Sequence, residues 1–186
     1  LSKLIALCVG LFCVFIAYNS NSNKTYSISG NAYGTSWSVV STSFIADHHE
    51  KNIIKIIDHI DLVASNYKIN SEIAIVNKEP LNVELLISDD LYNILNIADD
   101  ISRLSNGAYN IMWGKISSKL GFAPDFDKDL IQDNDGGYLL INNNKLIKKS
   151  TNWFDLSSIA KGYEVQRIHE YLITNNITNH LIDIGW

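Results

Sequence analysis

The chain has 186 residues, 46% of them hydrophobic and 19% charged, which supports a globular body with a well-buried core and excludes an intrinsically disordered one. A formal net charge of -5 without any dense lysine or arginine cluster excludes a general nucleic-acid binder, because phosphate backbones are gripped by such clusters. The nearest basic group, Lys145 with Lys148 and Lys149, reads as a solvated hairpin.

Residues 4–18 form an unbroken apolar run behind Lys3 and ahead of the polar stretch 19–24. The run is shorter than the about 20 residues that a bilayer crossing takes and matches the apolar core of a secretory signal. Residues 1–22 are therefore expected to be a signal peptide or N-terminal membrane anchor, and residues 23–186 an exported body. Ser20 and Ser22 supply the small residues for a cut after Ser22. Both cysteines, Cys8 and Cys13, lie inside the run, preceded by Leu7 and Phe12 and not by the small residue of a lipid-anchoring signal. The body thus has no disulfide and no thiolate metal site. The chain opens on Leu1 and stops at Ile184-Gly185-Trp186, just after a predicted strand, which fits a natural end and an incomplete gene product equally.

Alternation predicts strands at 26–29 and 36–44, broken by a turn from Gly30 to Gly34. From His49 to about Ser65, Ile53, Ile56, Ile57, Ile60, Val63 and Ala64 recur at helical spacing and predict an amphipathic helix. After a loop with Tyr67 and Asn70, Ser71 and Glu72 start a short helix through Asn77. Ser88 caps the next helix, which carries Asp89 and Asp90 in its first turn and Leu91, Ile94, Leu95, Ala98, Ile101 and Leu104 as its inner stripe, with Gly107 at its end. An extended piece over 108–112 precedes one or two helical turns over 113–120, closed by Gly121. The triplet Asn142-Asn143-Asn144 tolerates left-handed backbone and predicts a hairpin between 138–141 and 145–148. A short apolar strand at 153–156 enters a helix that runs to about Asn175, with Ile159, Tyr163, Ile168, Tyr171 and Leu172 inward, and residues 180–185 close the chain as a strand. Strands and helices mixed without regular alternation predict an α+β fold, a mixed sheet with packed helices.

Chemistry concentrates in Asp155-Leu156-Ser157-Ser158-Ile159-Ala160-Lys161-Gly162-Tyr163. A carboxylate, two hydroxyls, a first-turn lysine and a glycine at a helix start suit a phosphate-bearing ligand, since the unpaired N–H groups there carry the positive end of the helix dipole. The same residues also fit a plain helix start, with Ser157 or Ser158 as N-cap and Lys161 solvated. His48 and His49 are adjacent, and His59, His169 and His180 are scattered, which gives no pair at metal-binding spacing and reads as solvated helix histidines. The glycine patterns of serine-hydrolase elbows, phosphate-binding loops and dinucleotide folds are absent. Four further polar clusters remain: Tyr33-Gly34-Thr35-Ser36-Trp37; Ser65-Asn66-Tyr67 with Ser71-Glu72 and Asn77; Asn106-Gly107-Ala108-Tyr109-Asn110; and Gly121-Phe122-Ala123-Pro124.

In this order the clusters and the Asp155 segment resemble the ApbE family, the FAD:protein FMN transferases. Asp155 to Tyr163 match that family's aspartate-leucine-(serine or glycine)-alanine-isoleucine-alanine-lysine-glycine-tyrosine nearly residue for residue. The resemblance covers residues 26–186 and the N-terminal portion of a usual member, so the C-terminal part of the family fold is expected to be missing. It implies a Mg-dependent enzyme that splits the pyrophosphate of FAD and attaches FMN to a threonine of a partner protein, a subunit of a membrane redox complex, in the periplasm or on the outer face of the cytoplasmic membrane. It further implies that Ser158 gives a backbone oxygen to Mg2+ and that Asp155 and Lys161 contact FAD. Tyr67, Ala108, Tyr109 and Asn110 would line the flavin pocket, and Tyr33 stands where the family has a methionine at the ligand. The family's remaining metal ligands, an aspartate and a threonine, and its catalytic histidine region correspond to positions beyond Trp186, so this polypeptide is expected to have weak or no transferase activity.

The chain departs from the family pattern at Tyr33, Ala64, Asn66, Asn110, Met112, Leu120, Gln166 and Trp186. Asn110, in place of aspartate, keeps hydrogen-bonding capacity and loses a charge. Two readings of function stay open: an FAD:protein FMN transferase, and a catalytically degenerate or truncated flavin-binding or interaction domain. An exported α+β protein without flavin is the third.

Overall fold

The computed structural model describes residues 24–122 and 137–185. The expected leader, the Ala123-Pro124 end of one polar cluster and Trp186 lie outside them. In chain order the elements are β1 (Tyr26–Ala32), β2 (Thr35–Ser41), α1 (Asp47–Ala64), α2 (Glu72–Lys78), β3 (Glu84–Leu86), α3 (Asp89–Leu104), α4 (Gly114–Lys119), β4 (Tyr138–Ile141), β5 (Lys145–Lys148), α5 (Ala160–Thr174) and β6 (His180–Ile184). They fall into two compact units, 24–47 with 172–185, and 48–171. Among the described residues no helix is long and apolar enough to cross a membrane.

The first unit carries an antiparallel sheet in the order β1-β2-β6. Its first strand outruns the expected end and continues to Ala32, so Gly30 lies inside the ladder opposite Trp37. The reason is the indole: a Cβ at Gly30 would sit 2.7 Å from Trp37 Nε1. Only Tyr33 and Gly34 make the turn, both with positive φ (56° and 71°), the geometry that matches the twist of a two-residue hairpin. Along β2, Trp37, Val39 and Ser41 alternate inward, and the buried Ser41 hydroxyl is satisfied by donating to Asn179 O at 2.7 Å.

The second unit has its core where α1, α2 and α3 bring Ile60, Val63, Ile73, Val76, Leu91, Ile94 and Leu95 against Leu146, Phe154, Leu156 and Tyr163. Ser71 and Ser88 cap α2 and α3 by accepting from Ala74 N and Leu91 N. Glu72 ties the two helix starts together, since its carboxylate accepts from Ser88 N at 2.6 Å and Ser88 Oγ at 2.5 Å. The inner stripe of α3 ends at Ala98; Ile101 and Leu104, expected inward, are exposed because the last turn outruns the core. A second antiparallel sheet runs β3-β5-β4, with Leu85, Leu146 and Leu140 in one cross-strand row on its inner side.

Three further expectations are corrected here. Lys148 is not solvated: it is buried, and its ammonium donates to Asn77 O at 2.7 Å and Glu79 O at 3.0 Å, while burial lowers its pKa. His49 is also buried, with Nδ1 2.9 Å from the Tyr171 hydroxyl, which accepts from Asn52 Nδ2 at 3.0 Å. Residues 153–156 join no ladder, because other groups claim their backbone: Gly114 N donates to Trp153 O at 2.9 Å and Asp155 N to Ile111 O at 2.7 Å.

Asp90 joins three helices. His59 Nε2 of α1 lies 2.8 Å from its Oδ2, while from α5 the Tyr163 hydroxyl donates to Oδ1 at 2.6 Å and Arg167 Nε lies 3.5 Å away. Burial pushes the Asp90 carboxyl up, but the hydrogen bonds from Tyr163 and His59 and the Arg167 charge outweigh it and hold the pKa below 3.8. Burial and the Asp90 bond push the Tyr163 hydroxyl up to about 12. A carboxylate depressed in the fold contributes stability above its unfolded pKa and loses it as pH falls through the folded value. Acid titration of stability should therefore show a shallower loss below about pH 4 in Asp90→Asn than in the parent chain.

Candidate functional site

The loop-to-helix corner at Asp155 is built from its backbone outward. Leu156 and Ile159 are buried and anchor it, and Ile159 N and Ala160 N both donate to Leu156 O, at 3.0 and 2.9 Å, starting the turn that becomes α5. Between these anchors Ser157 and Ser158 are exposed, as is Lys161 in the first turn of the helix. The Asp155 carboxylate is the centre of the corner. Its Oδ1 accepts from Asn66 Nδ2 at 2.6 Å, from Ser157 N at 2.9 Å and from Ser157 Oγ at 2.6 Å, and its Oδ2 accepts from Ser117 Oγ at 2.5 Å. An aspartate that binds the N–H two residues on is the usual local device for a sharp turn.

Two neighbours fix the chain entering this corner. The Asn77 side chain, on α2, takes both backbone groups of Phe154: its Oδ1 accepts from Phe154 N at 2.7 Å and its Nδ2 donates to Phe154 O at 3.1 Å. Gly114, at the start of α4, packs directly on the same backbone. A Cβ there would lie 2.8 Å from Trp153 O and 2.9 Å from Phe154 O. One turn further along α4 is Ser117, which the close seating of Gly114 brings to Asp155.

The segment after α3 forms another side of the corner. Gly107, at φ 80°, turns the chain and donates its N–H to Ser102 O at 2.8 Å, and Ser105 Oγ accepts from Tyr109 N at 2.9 Å. The Tyr109 hydroxyl then lies 3.0 Å from Ser158 Oγ. Asn110 uses its Oδ1 locally, accepting from Met112 N at 2.8 Å. Tyr67, beside Asn66, and Trp113, beside Gly114, are 60% and 50% exposed, leaving aromatic faces open to a flat ring system.

Of the residues named from sequence, the second unit brings Asp155, Ser158 and Tyr109 together, with Ala108 and Asn110 flanking Tyr109, Tyr67 following Asn66, and Lys161 on the exiting helix. Tyr33 belongs to the first unit, at its β1–β2 turn. Sequence reasoning missed Ser117 altogether, and the only available signal was a hydroxyl one turn after a helix-start glycine. Among the described residues no three histidine, cysteine or acidic side chains gather as a metal cluster. The corner instead presents oxygens, the donor type that a hard cation such as magnesium takes.

The sequence model of the ApbE family matches residues 33–185. Among curated relatives, the FAD:protein FMN transferase of Vibrio cholerae is 24% identical over 173 residues, covering 85% of this chain and 52% of that protein. The transferase of the same name from Haemophilus influenzae is 25% identical over 211 residues, covering 100% and 59%. The one from Chlamydia pneumoniae is 27% identical over 182 residues, covering 90% and 56%. The chain thus spans about half the length of the curated relatives it matches. Among solved structures, the flavin transferase ApbE from Vibrio cholerae superimposes with a TM-score of 0.76 at 23% identity, covering 87% of this chain and 57% of that one. The apo flavinyl transferase ApbE of Pseudomonas stutzeri does so with a TM-score of 0.76 at 18% identity, with the same coverage. These likenesses show that the fold of this chain is that of the flavin transferase structures.

Proposed function

Because the chain belongs to the ApbE family, we propose that it holds FAD and serves FMN transfer from FAD to a threonine hydroxyl of a partner protein. In that reaction a P–O bond of the FAD pyrophosphate breaks and AMP leaves. The threonine oxygen forms a phosphoester with the FMN phosphorus, and its proton is released. The observation that carries the reading is the Asp155 corner, where hydroxyls, a helix start and Lys161 share one exposed edge within the stretch matched by the family model.

The residues have separable tasks. The start of α5 directs the positive end of its dipole at the diphosphate, and the Lys161 ammonium neutralises part of its charge. Tyr67 offers a face on which the flavin ring can stack, while Ala108, Tyr109 and Asn110 line the pocket beside it. Mg2+, with the Ser158 backbone oxygen among its ligands, would supply further charge neutralisation on the phosphate oxygens. The acceptor is a membrane redox-complex subunit met outside the cytoplasm, a reading supported by the apolar run at 4–18.

Titrating the purified chain with FAD and following flavin fluorescence tests the binding step. The parent chain should quench it, and Lys161→Ala should weaken binding about 10-fold, the effect of one charge-assisted contact. Unchanged flavin fluorescence across the titration would overturn the reading. Covalent flavin on a threonine-bearing acceptor, seen on a denaturing gel after incubation with FAD and magnesium, reads the transfer step separately.

A further inference from the structure

Resting on the flavin-dinucleotide reading given above, we propose that the Ser158 hydroxyl donates directly to a diphosphate oxygen of the ligand and that Tyr109 is the positioning residue that aims it. The two hydroxyl oxygens lie 3.0 Å apart and join the segment after α3 to the start of α5 across 49 residues of chain. The ApbE pattern has alanine at the Ser158 position, so this hydroxyl is an addition of the present chain and is distinct from the backbone oxygen assigned to Mg2+.

The direction of the protons sets Ser158 apart from its neighbours. Ser117 and Ser157 each have a single hydroxyl hydrogen and give it to the Asp155 carboxylate, at 2.5 and 2.6 Å. Among the described residues Ser158 Oγ has one hydrogen-bond partner, the Tyr109 hydroxyl. Of that pair the phenol is the better donor and the poorer acceptor, because its oxygen lone pair is delocalised into the ring. Tyr109 therefore donates to Ser158 Oγ, and the Ser158 hydrogen turns outward, where no acceptor among the described residues meets it.

This donor is held in place from behind. The Tyr109 ring is half-buried against the core, its N–H is bound by Ser105 Oγ at 2.9 Å, and Gly107 turns the chain just before it. Phosphate oxygens only accept, so they need what this exposed edge presents: the Ser158 hydrogen, the Lys161 ammonium three residues on, and the first-turn N–H groups of α5.

The test titrates the full chain with FAD, followed by flavin fluorescence, and with ADP, followed by calorimetry; ADP carries a diphosphate and no flavin. Both titrations omit magnesium, so the backbone oxygen of Ser158 does not enter the comparison. Ser158→Ala should weaken FAD and ADP alike by about 10-fold, the effect of one hydrogen bond to a charged group, and Ser158→Thr, which keeps a hydroxyl, should restore most of the affinity. Tyr109→Phe should weaken both ligands by about 3-fold in the parent chain and leave Ser158→Ala unchanged, because the phenol acts only through the serine.

A loss confined to FAD would put Ser158 at the flavin end of the ligand. Equal losses from Tyr109→Phe in both backgrounds would mean that the phenol meets the ligand itself. Either result overturns the proposal, as does a parent chain that binds ADP no better than Ser158→Ala. Failure of the flavin reading looks different: the parent then binds ADP but not FAD, and the drop in ADP affinity in Ser158→Ala still supports the donor role. FAD binding by the parent that Ser158→Ala leaves unchanged ends the donor role and keeps the flavin reading.

Discussion

Gly114→Ala should destabilise the second unit by about 3 kcal/mol and abolish flavin binding, although it adds a single methyl group. The methyl carbon would arrive 2.8 Å from both Trp153 O and Trp153 Cβ, and 2.9 Å from Phe154 O. Two of these three atoms are backbone oxygens, and neither is free to retreat. Phe154 is held at both its N–H and its C=O by Asn77, and Trp153 O accepts the N–H of Gly114 itself. Helix α4 must therefore lift, and Ser117 leaves Asp155 with it. Chemical denaturation of the variant should show a lower midpoint with an unchanged slope, while FAD titration shows no quenching. A variant with parental midpoint and parental affinity would show that α4 is not seated by this contact.

Asn77→Ala should cost a comparable about 2–4 kcal/mol, by a different route. The substitution removes no apolar packing of consequence, but it strips two hydrogen bonds from the backbone of Phe154, whose side chain is 1% exposed. A buried donor or acceptor left without a partner costs about 1–3 kcal/mol, and here one of each is orphaned. Asn77→Asp is the useful companion: its carboxylate can still accept from Phe154 N, whereas the bond to Phe154 O is lost. Its loss should be roughly half as large, and the ordering parent, Asp, Ala in denaturation midpoint checks the assignment. Equal midpoints for Asp and Ala would place the whole effect in the donor side of the clamp.

Local rules made much of the fold legible. Ser88 was readable as a cap and Ser71 with Glu72 as a helix start because a hydroxyl before an acidic first turn suits the unpaired N–H groups there, and the asparagine triplet announced its hairpin by its tolerance of positive φ, realised at Asn143 (66°) and Asn144 (57°). The misreadings share a cause, since each depends on what lies across space. Lys148 looks like its neighbours Lys145 and Lys149 until two carbonyls from the end of α2 are found to close over its ammonium. Gly30 looks like a turn residue until the Trp37 ring is placed beside it. The strand β3 is too short, at Glu84–Leu86, to show any period.

The candidate site shows the same division. Asp155, Ser158 and Lys161 stood out as a polar helix start, and the order of the clusters along the chain pointed to Tyr109 and Tyr67. Ser117 was invisible because its partner lies 38 residues away and is reached only once α4 has docked. Asn66 could be seen to depart from the family pattern, but not that it would hand its amide hydrogen to Asp155.

The sheet of the first unit has a bearing on biosynthesis. Its middle strand pairs with β6, and the Ser41 hydroxyl meets Asn179 O across 138 residues of chain. At ribosomal speeds of about 5–20 residues per second, the β1–β2 hairpin must wait on the order of ten seconds for its third strand to emerge. Two strands alone are marginal in water. Throughout that interval Trp37 and Val39 have no finished sheet to enter, whereas the second unit can already collapse around its own helices. The nascent chain is thus sticky at its β1–β2 hairpin until β6 emerges and silences it.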